Sequence, residues 1–124
     1  MSAMELTEET FEATMKKEGI VVIDWWASWC GPCRAFAPVF EKAAARHVDA
    51  TFAKVDTEAE PGLASAFQVR AIPTLSILRD GVLLFHRAGM LTPAALDDLL
   101  AQTRALDMDA VKKEIAAEAA KGAA

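Results

Sequence analysis

The sequence predicts an α/β domain on a central mixed β-sheet, with a parallel core, an antiparallel hairpin and flanking helices. Three features carry that expectation. Ile20-Val21-Val22-Ile23 is β-branched without alternation, as in a central strand covered on both faces. Strand-like and helix-like stretches then alternate along the chain, which is the pattern of an α/β unit. Asp80-Gly81 separates two apolar runs and supplies the positive φ angles that a tight hairpin turn demands.

Taken in order, the elements begin with Thr7, which precedes Glu8 and Glu9 and reads as the N-cap of a helix with acids in its first turn. Phe11 and Met15 lie one turn apart on it, and Gly19 stands where it should stop. After the apolar strand, Phe36, Val39, Phe40, Ala43 and Ala44 keep helical spacing. Pro38 should kink that helix without ending it. Residues 51–55 read as a second strand, and Pro61-Gly62 leads into a short helix around residues 64–67. The hairpin spans residues 74–78 and 82–85 around its Asp-Gly turn. Thr92-Pro93 opens another helix with Pro at its first position, and Leu96, Leu99 and Leu100 give it a buried face. Beyond Asp107 the chain turns alanine-rich, with Met108, Val111 and Ile115 as a narrow apolar stripe and Asp107 or Asp109 as cap. The expected division is a domain over residues 1–105 and a helical extension over residues 106–124. That extension docks weakly or frays; the sharper alternative is a partner-binding helix.

A chain of 124 residues with 53% hydrophobic and 25% charged residues suits one domain with a substantial core. The net charge of −5, with no dense cluster among 13 Lys and Arg residues, argues against nucleic acid as a partner. The opening MSAMELTEE is acidic and no apolar segment follows it, so neither a secretory signal nor a membrane span is expected. A cytoplasmic location follows as the expectation. There, thiols are kept reduced, and a cysteine pair is more often catalytic or metal-binding than a structural staple.

The two cysteines, Cys30 and Cys33, lie between the apolar strand and the amphipathic helix, the context of a redox motif. Their spacing at a helix's first turn brings the α-carbons within the roughly 4.4–6.8 Å that a disulfide tolerates. The helix N-terminus aims unpaired N–H groups and partial positive charge at the first sulfur, favouring thiolate. That dipole is worth at most about 2 kcal/mol, so hydrogen bonds from the motif's own N–H groups must add to it. Pro32 has no N–H to give, but it stiffens the turn. Cys30 is expected at the exposed start as the attacking thiolate, with Cys33 one turn further in as the resolving thiol. A staple with so small a ring would contribute only about 2 kcal/mol. Zinc would need two more ligands, and only His47 and His86 remain, far apart in sequence. Each histidine is expected at the surface or a strand edge with no special task. No metal or organic cofactor is expected.

Asp24 interrupts the apolar strand. A carboxylate covered on both sides loses solvation, so its pKa rises unless it finds a cation. Either the strand end opens to solvent there, or Asp24 is the base that takes the proton of Cys33. Alternation sends Asp24 and Trp26 to one face and Ile23 and Trp25 to the other. Lys54, an isolated charge in the next strand, is a candidate partner that would moderate the shift.

These residues resemble the thioredoxin family closely. WASWCGPCR after VVID looks like its active-site segment, and the likeness continues through FAKVD, RAIPT, RDG and AGM over about residues 5 to 105. The resemblance implies the thioredoxin fold, Cys30 as nucleophile, Cys33 as resolving thiol, Asp24 as buried carboxylate and Lys54 as its neighbour. It also implies a cis bond before Pro73. The implied substrate face comprises Trp29, Gly31, Pro32, Ala71, Ile72, Pro73, Gly89 and Met90. Disulfide-containing proteins would be the substrates, a thioredoxin-reductase-like enzyme would recharge the pair, and the protein would be a monomer. Arg34 replaces the lysine usual after the second cysteine, Trp25 a phenylalanine, and Ser28 a position that is often acidic. The segment before Leu6 is so short that the family's first edge strand should be truncated or absent. Two rivals stand beside this reading: an oxidase or isomerase on the same fold, which a redox potential against glutathione would separate, and a non-catalytic binding module. Gly-Pro between the cysteines leans towards reduction, and the intact Cys30, Cys33 and Asp24 argue for catalysis.

Overall fold

The structure, a computed structural model, describes residues 3–123. In chain order its elements are β1 (Met4–Glu5), α1 (Glu8–Met15), β2 (Ile20–Trp26), α2 (Gly31–Arg46) and β3 (Thr51–Asp56). They continue with α3 (Pro61–Ala66), β4 (Thr74–Arg79), β5 (Val82–Ala88), α4 (Pro93–Ala105) and α5 (Met108–Ala123). The strands form one sheet in the order β1-β3-β2-β4-β5. β3 runs parallel to both β1 and β2, while β4 runs antiparallel to β2 and β5. This is the mixed sheet that the sequence predicts. The family's first edge strand is truncated to two residues, not lost.

Alternation along β2 divides the core. Ile20 and Val22 join Phe36 and Phe40 of α2, Leu75 and Ile77 of β4, and Leu96 and Leu100 of α4 on one side. Val21, Ile23 and Trp25 join Leu63 and Ala64 of α3 on the other, where Phe11 and Met15 of α1 also rest. Pro38 lies inside α2, which runs on past it to Arg46. The third helix occupies Pro61–Ala66, ahead of the expected 64–67, because Pro61 starts it at once and needs no N–H there.

Local chemistry sets the boundaries. The Thr7 N–H donates to Thr10 Oγ1 at 3.1 Å, and Thr92 Oγ1 accepts from the Ala95 N–H at 3.1 Å; both satisfy N–H groups a helix start leaves free. At the hairpin, Asp80 and Gly81 have φ of 52° and 79°, the left-handed pair a two-residue turn requires. Arg79 Nη1 donates to the carbonyls of Thr103, Arg104 and Leu106 at 2.9, 3.2 and 3.0 Å, capping the end of α4. α5 follows, with Asp107 Oδ1 accepting from the Ala110 N–H at 3.2 Å. Met108 is buried and Val111 half-buried, whereas Ile115 is exposed, so the apolar stripe engages the domain only at its first end.

His86 is exposed on the edge strand β5, as expected, and His47 is half-buried at the end of α2; both side chains are hydrogen-bonded. His47 Nε2 lies 2.6 Å from Asp97 Oδ1 and Arg104 Nη2 lies 2.8 Å from His47 Nδ1, tying the end of α2 to α4. Ser76 Oγ accepts from Trp25 Nε1 at 2.9 Å and lies 2.7 Å from His86 Nδ1. Ser76 is fully buried, and it gives the core indole its acceptor. Replacing it by Ser76→Ala should cost about 1–3 kcal/mol, because the Trp25 N–H is left unpaired inside the protein. Urea unfolding measures this, and a loss below about 0.5 kcal/mol would mean the indole finds another acceptor.

Candidate active site

The site forms where β2 ends and α2 begins. Cys30 is the N-cap of α2, and its Sγ accepts a hydrogen bond from the Cys33 N–H at 3.2 Å. Pro32 fills the first turn, where its missing N–H leaves no helix bond broken. Cys30 and Cys33 are joined as a disulfide, with their α-carbons 5.2 Å apart. The spacing therefore does what the sequence requires of it, placing one sulfur against the helix's free N–H groups.

Burial corrects one expectation. Cys30 is only 4% exposed and Cys33 2%, so the first cysteine is not at an open surface. Ala27 and both cysteines form a small cluster of their own, with Ile72 and Trp26 packed against it. The carbonyl oxygen of Ile72 lies 3.7 Å from Cys30 Sγ. The loop leading into β4 thus leans over the sulfur, a long-range contact that spacing within the motif cannot reveal.

That loop holds the Ile72–Pro73 peptide bond, which is cis. Thr74 Oγ1 donates to the Ala71 carbonyl, and the Gly89 N–H donates to the Pro73 carbonyl at 2.8 Å. Gly89 has φ of 111°, a conformation that side chains with a Cβ rarely adopt. Trp29, Gly31, Pro32, Ala71, Gly89 and Met90 are exposed, Ile72 is half-buried and Pro73 is buried. Trp29, at 65% exposure, is no core residue; its Nε1 donates to Glu58 Oε1 at 2.7 Å. Gly89 and Met90 border a cleft that Arg87 and Leu91 also line.

Asp24 lies in the middle of β2, the most enclosed strand among the described residues. It is 0% exposed, which rules out a strand end opening to solvent. Neither carboxylate oxygen has a hydrogen-bond partner among the described residues. Its pKa is pushed up from 3.8 to about 7, chiefly by burial; the Lys54 ammonium pulls it down and Glu41 pushes it up. Lys54 sits opposite Asp24 in the β2–β3 register. Its Nζ lies 5.0 Å from the centroid of the Trp26 ring, a cation–π distance, and makes no ion pair with Asp24 within 4.0 Å among the described residues. Trp26 Nε1 is itself buried without a partner.

Sequence reading missed three residues here. Glu58, the partner of Trp29, carries no motif. Alternation gives Trp26 its face but not its place beneath Lys54. Glu41 follows Phe40 on α2 and stands eight residues beyond Cys33, so helical spacing alone could have put it on the same stripe as Cys33.

Comparison with known proteins agrees with this geometry. The thioredoxin family model matches residues 2–102. A Streptomyces coelicolor relative carrying the name thioredoxin 2 is 51% identical over 120 residues, 97% of this chain and 90% of the relative. Thioredoxin C-3 of Corynebacterium nephridii is 39% identical over 103 residues, 82% of this chain and 71% of that one. A solved mutant thioredoxin from Halobacterium salinarum NRC-1 matches with a TM-score of 0.75 at 32% identity, covering 82% of this chain and 89% of that chain. With a WCGPC pair at a helix start, a five-stranded mixed sheet and these relatives, the chain belongs to the thioredoxin family and is a thioredoxin-type protein disulfide reductase.

Proposed function

We propose that Cys30 is the attacking thiolate, Cys33 the resolving thiol and Asp24 the proton acceptor, with Lys54 moderating its basicity. The observation that carries this reading is the Cys33 N–H pointing at Cys30 Sγ from the first turn of α2. A donor and a helix N-terminus at one sulfur favour its ionised form, and Cys33 has no such position.

The Cys30 thiolate attacks a substrate disulfide, forming a mixed disulfide and releasing one substrate thiolate. Cys33 then gives its proton to the Asp24 carboxylate. The Cys33 thiolate attacks Cys30 Sγ, closing the Cys30–Cys33 disulfide and releasing the second substrate thiolate. Two electrons pass from the dithiol to the substrate. Asp24 suits the task because a base works best with a pKa near the working pH, and burial sets it at about 7.

Trp29, Gly31, Pro32, Ala71, Ile72, Pro73, Gly89 and Met90 form the substrate face in this reading. Backbone groups of the loop before β4 would meet an extended peptide, and small apolar contacts would leave the choice of partner broad. The working unit is residues 1–105, since the family match ends at residue 102 and, among the described residues of α5, only Met108 is buried. Residues 106–124 are an extension. The reading is of a monomer in the cytoplasm, recharged by a thioredoxin-reductase-like enzyme and acting as a general dithiol reductant. No helix among the described residues is long and apolar enough to cross a membrane.

Cys33→Ser tests the order of attack. It should trap substrate proteins as mixed disulfides that dithiothreitol releases, while Cys30→Ser should trap none; the same adducts on Cys30→Ser would reverse the assignment.

The buried carboxyl also has a thermodynamic signature. Asp24 ordinarily titrates at 3.8 and in the fold at about 7. Between those values the native state holds a proton that the unfolded chain has lost, so stability falls as pH rises through the window and levels above it. The gap corresponds to on the order of 4 kcal/mol. Asp24→Asn should therefore gain stability relative to the parent between about pH 4 and about pH 8, as read from urea unfolding across that range. A difference that does not vary with pH would show that Asp24 is not the group titrating near neutrality.

A further inference from the structure

The charges around Asp24 form an arrangement that the sulfur chemistry alone does not require. Glu5 of β1, Lys54 of β3 and Asp24 of β2 stand in one cross-strand row, and side chains opposite one another in neighbouring strands share a face. The face is the one beneath α2. Phe52 and Val22, two residues back from Lys54 and Asp24, lie in the core cluster with Phe36 and Phe40 of α2, and Ala3 packs against it. On α2, Cys33, Ala37 and Glu41 follow at intervals of four, one stripe of a helix surface. Glu41 is half-buried, and the Ala3 N–H donates to its Oε2 at 3.1 Å. An acid is thus tethered two turns along the helix from Cys33, by the backbone of the segment that enters β1.

We infer that Glu41 is a positioning residue for the disulfide chemistry: tethered by Ala3, its carboxylate opposes the field of Lys54 at Asp24 and keeps the buried carboxyl a competent base. The inference rests on Asp24 as proton acceptor. Lys54 by itself stabilises the carboxylate form and returns Asp24 towards an ordinary acid; a second negative charge works the other way. Burial is the largest cause of the raised value, and Lys54 and Glu41 act on it with opposite signs. β4 sets Leu75 opposite Asp24, α4 adds Leu96 and Leu100 to the same core, and β5 sets Arg87 beyond Leu75 in the same row, exposed at the sheet's other edge where solvent screens its charge. Cys33 of α2, once reduced, is the proton donor. Glu5 is exposed at the far end of the row, where water and salt screen it.

Glu41→Gln tests this directly, since the amide oxygen can still accept from Ala3 while the charge is gone. In the reduced full-length chain, the Asp24 carboxyl followed by carbon NMR should titrate lower by roughly half a pH unit, about a threefold change in proton affinity. The acid limb of the resolving step should move with it, read as release of the second thiolate after rapid mixing with dithiobis-nitrobenzoate. Glu41→Asp, which keeps the charge, should return both towards the parent. Lys54→Gln should move both to higher pH, and Glu5→Gln should leave them in place. An Asp24 midpoint near 7 that does not move in Glu41→Gln overturns the inference alone. A resolving-step profile that is unchanged by Asp24→Asn overturns the proton-acceptor reading beneath it.

Discussion

Both edges of β2 are hydrogen-bonded, to β3 and β4, and both of its faces are covered by helices, so four neighbours determine where it lies. Everything at the site depends on that confinement. The strand delivers Asp24 to a place that water does not reach and hands the chain, four residues past its end, to the cap of α2. A carboxyl at such a place is a cost to the fold, since burial works against its charged form. A protein selected for stability alone would have an apolar residue there.

The rest of the molecule fits around this cost. α2 brings one sulfur to its own N-terminal N–H groups and the other one turn inside, so a single helix start treats two identical side chains differently. The loop before β4 then closes over them from a separate part of the chain, and its link to Gly89 ties that loop to the end of β5. The reacting sulfurs are enclosed by contacts from β2, α2 and the β3–β4 connection, each supported by a different part of the core. Rigidity at the sulfurs is therefore inherited from the sheet and not from the four-residue motif.

Much of this could be read from residues alone, wherever the physics is local. The unalternated Ile20–Ile23 run announces a doubly covered strand, Asp80-Gly81 announces its turn, and Thr92-Pro93 its helix start, because each depends on a few adjacent groups. The oddity of an acid in that strand pointed to Asp24, and the register then put Lys54 beside it as expected. What escaped were relations between distant segments. Cys30 was expected at an open edge, but Ile72, 42 residues away, covers it. His47 and His86 looked idle because their partners, Asp97 and Ser76, lie on other elements. Glu41 shares a helix stripe with Cys33, which spacing shows, but its tether to Ala3 joins two distant segments and does not show there.

The capping of α4 has a consequence for the chain's far end. Its last carbonyls are satisfied from within the sheet by Arg79, so the end of α4 is closed before α5 begins. α5 then meets the domain through few side chains, Met108 and Val111 at its start and Lys112 at 3.9 Å from Asp80 of the hairpin turn, and residues 113–122 lie exposed along its outer length.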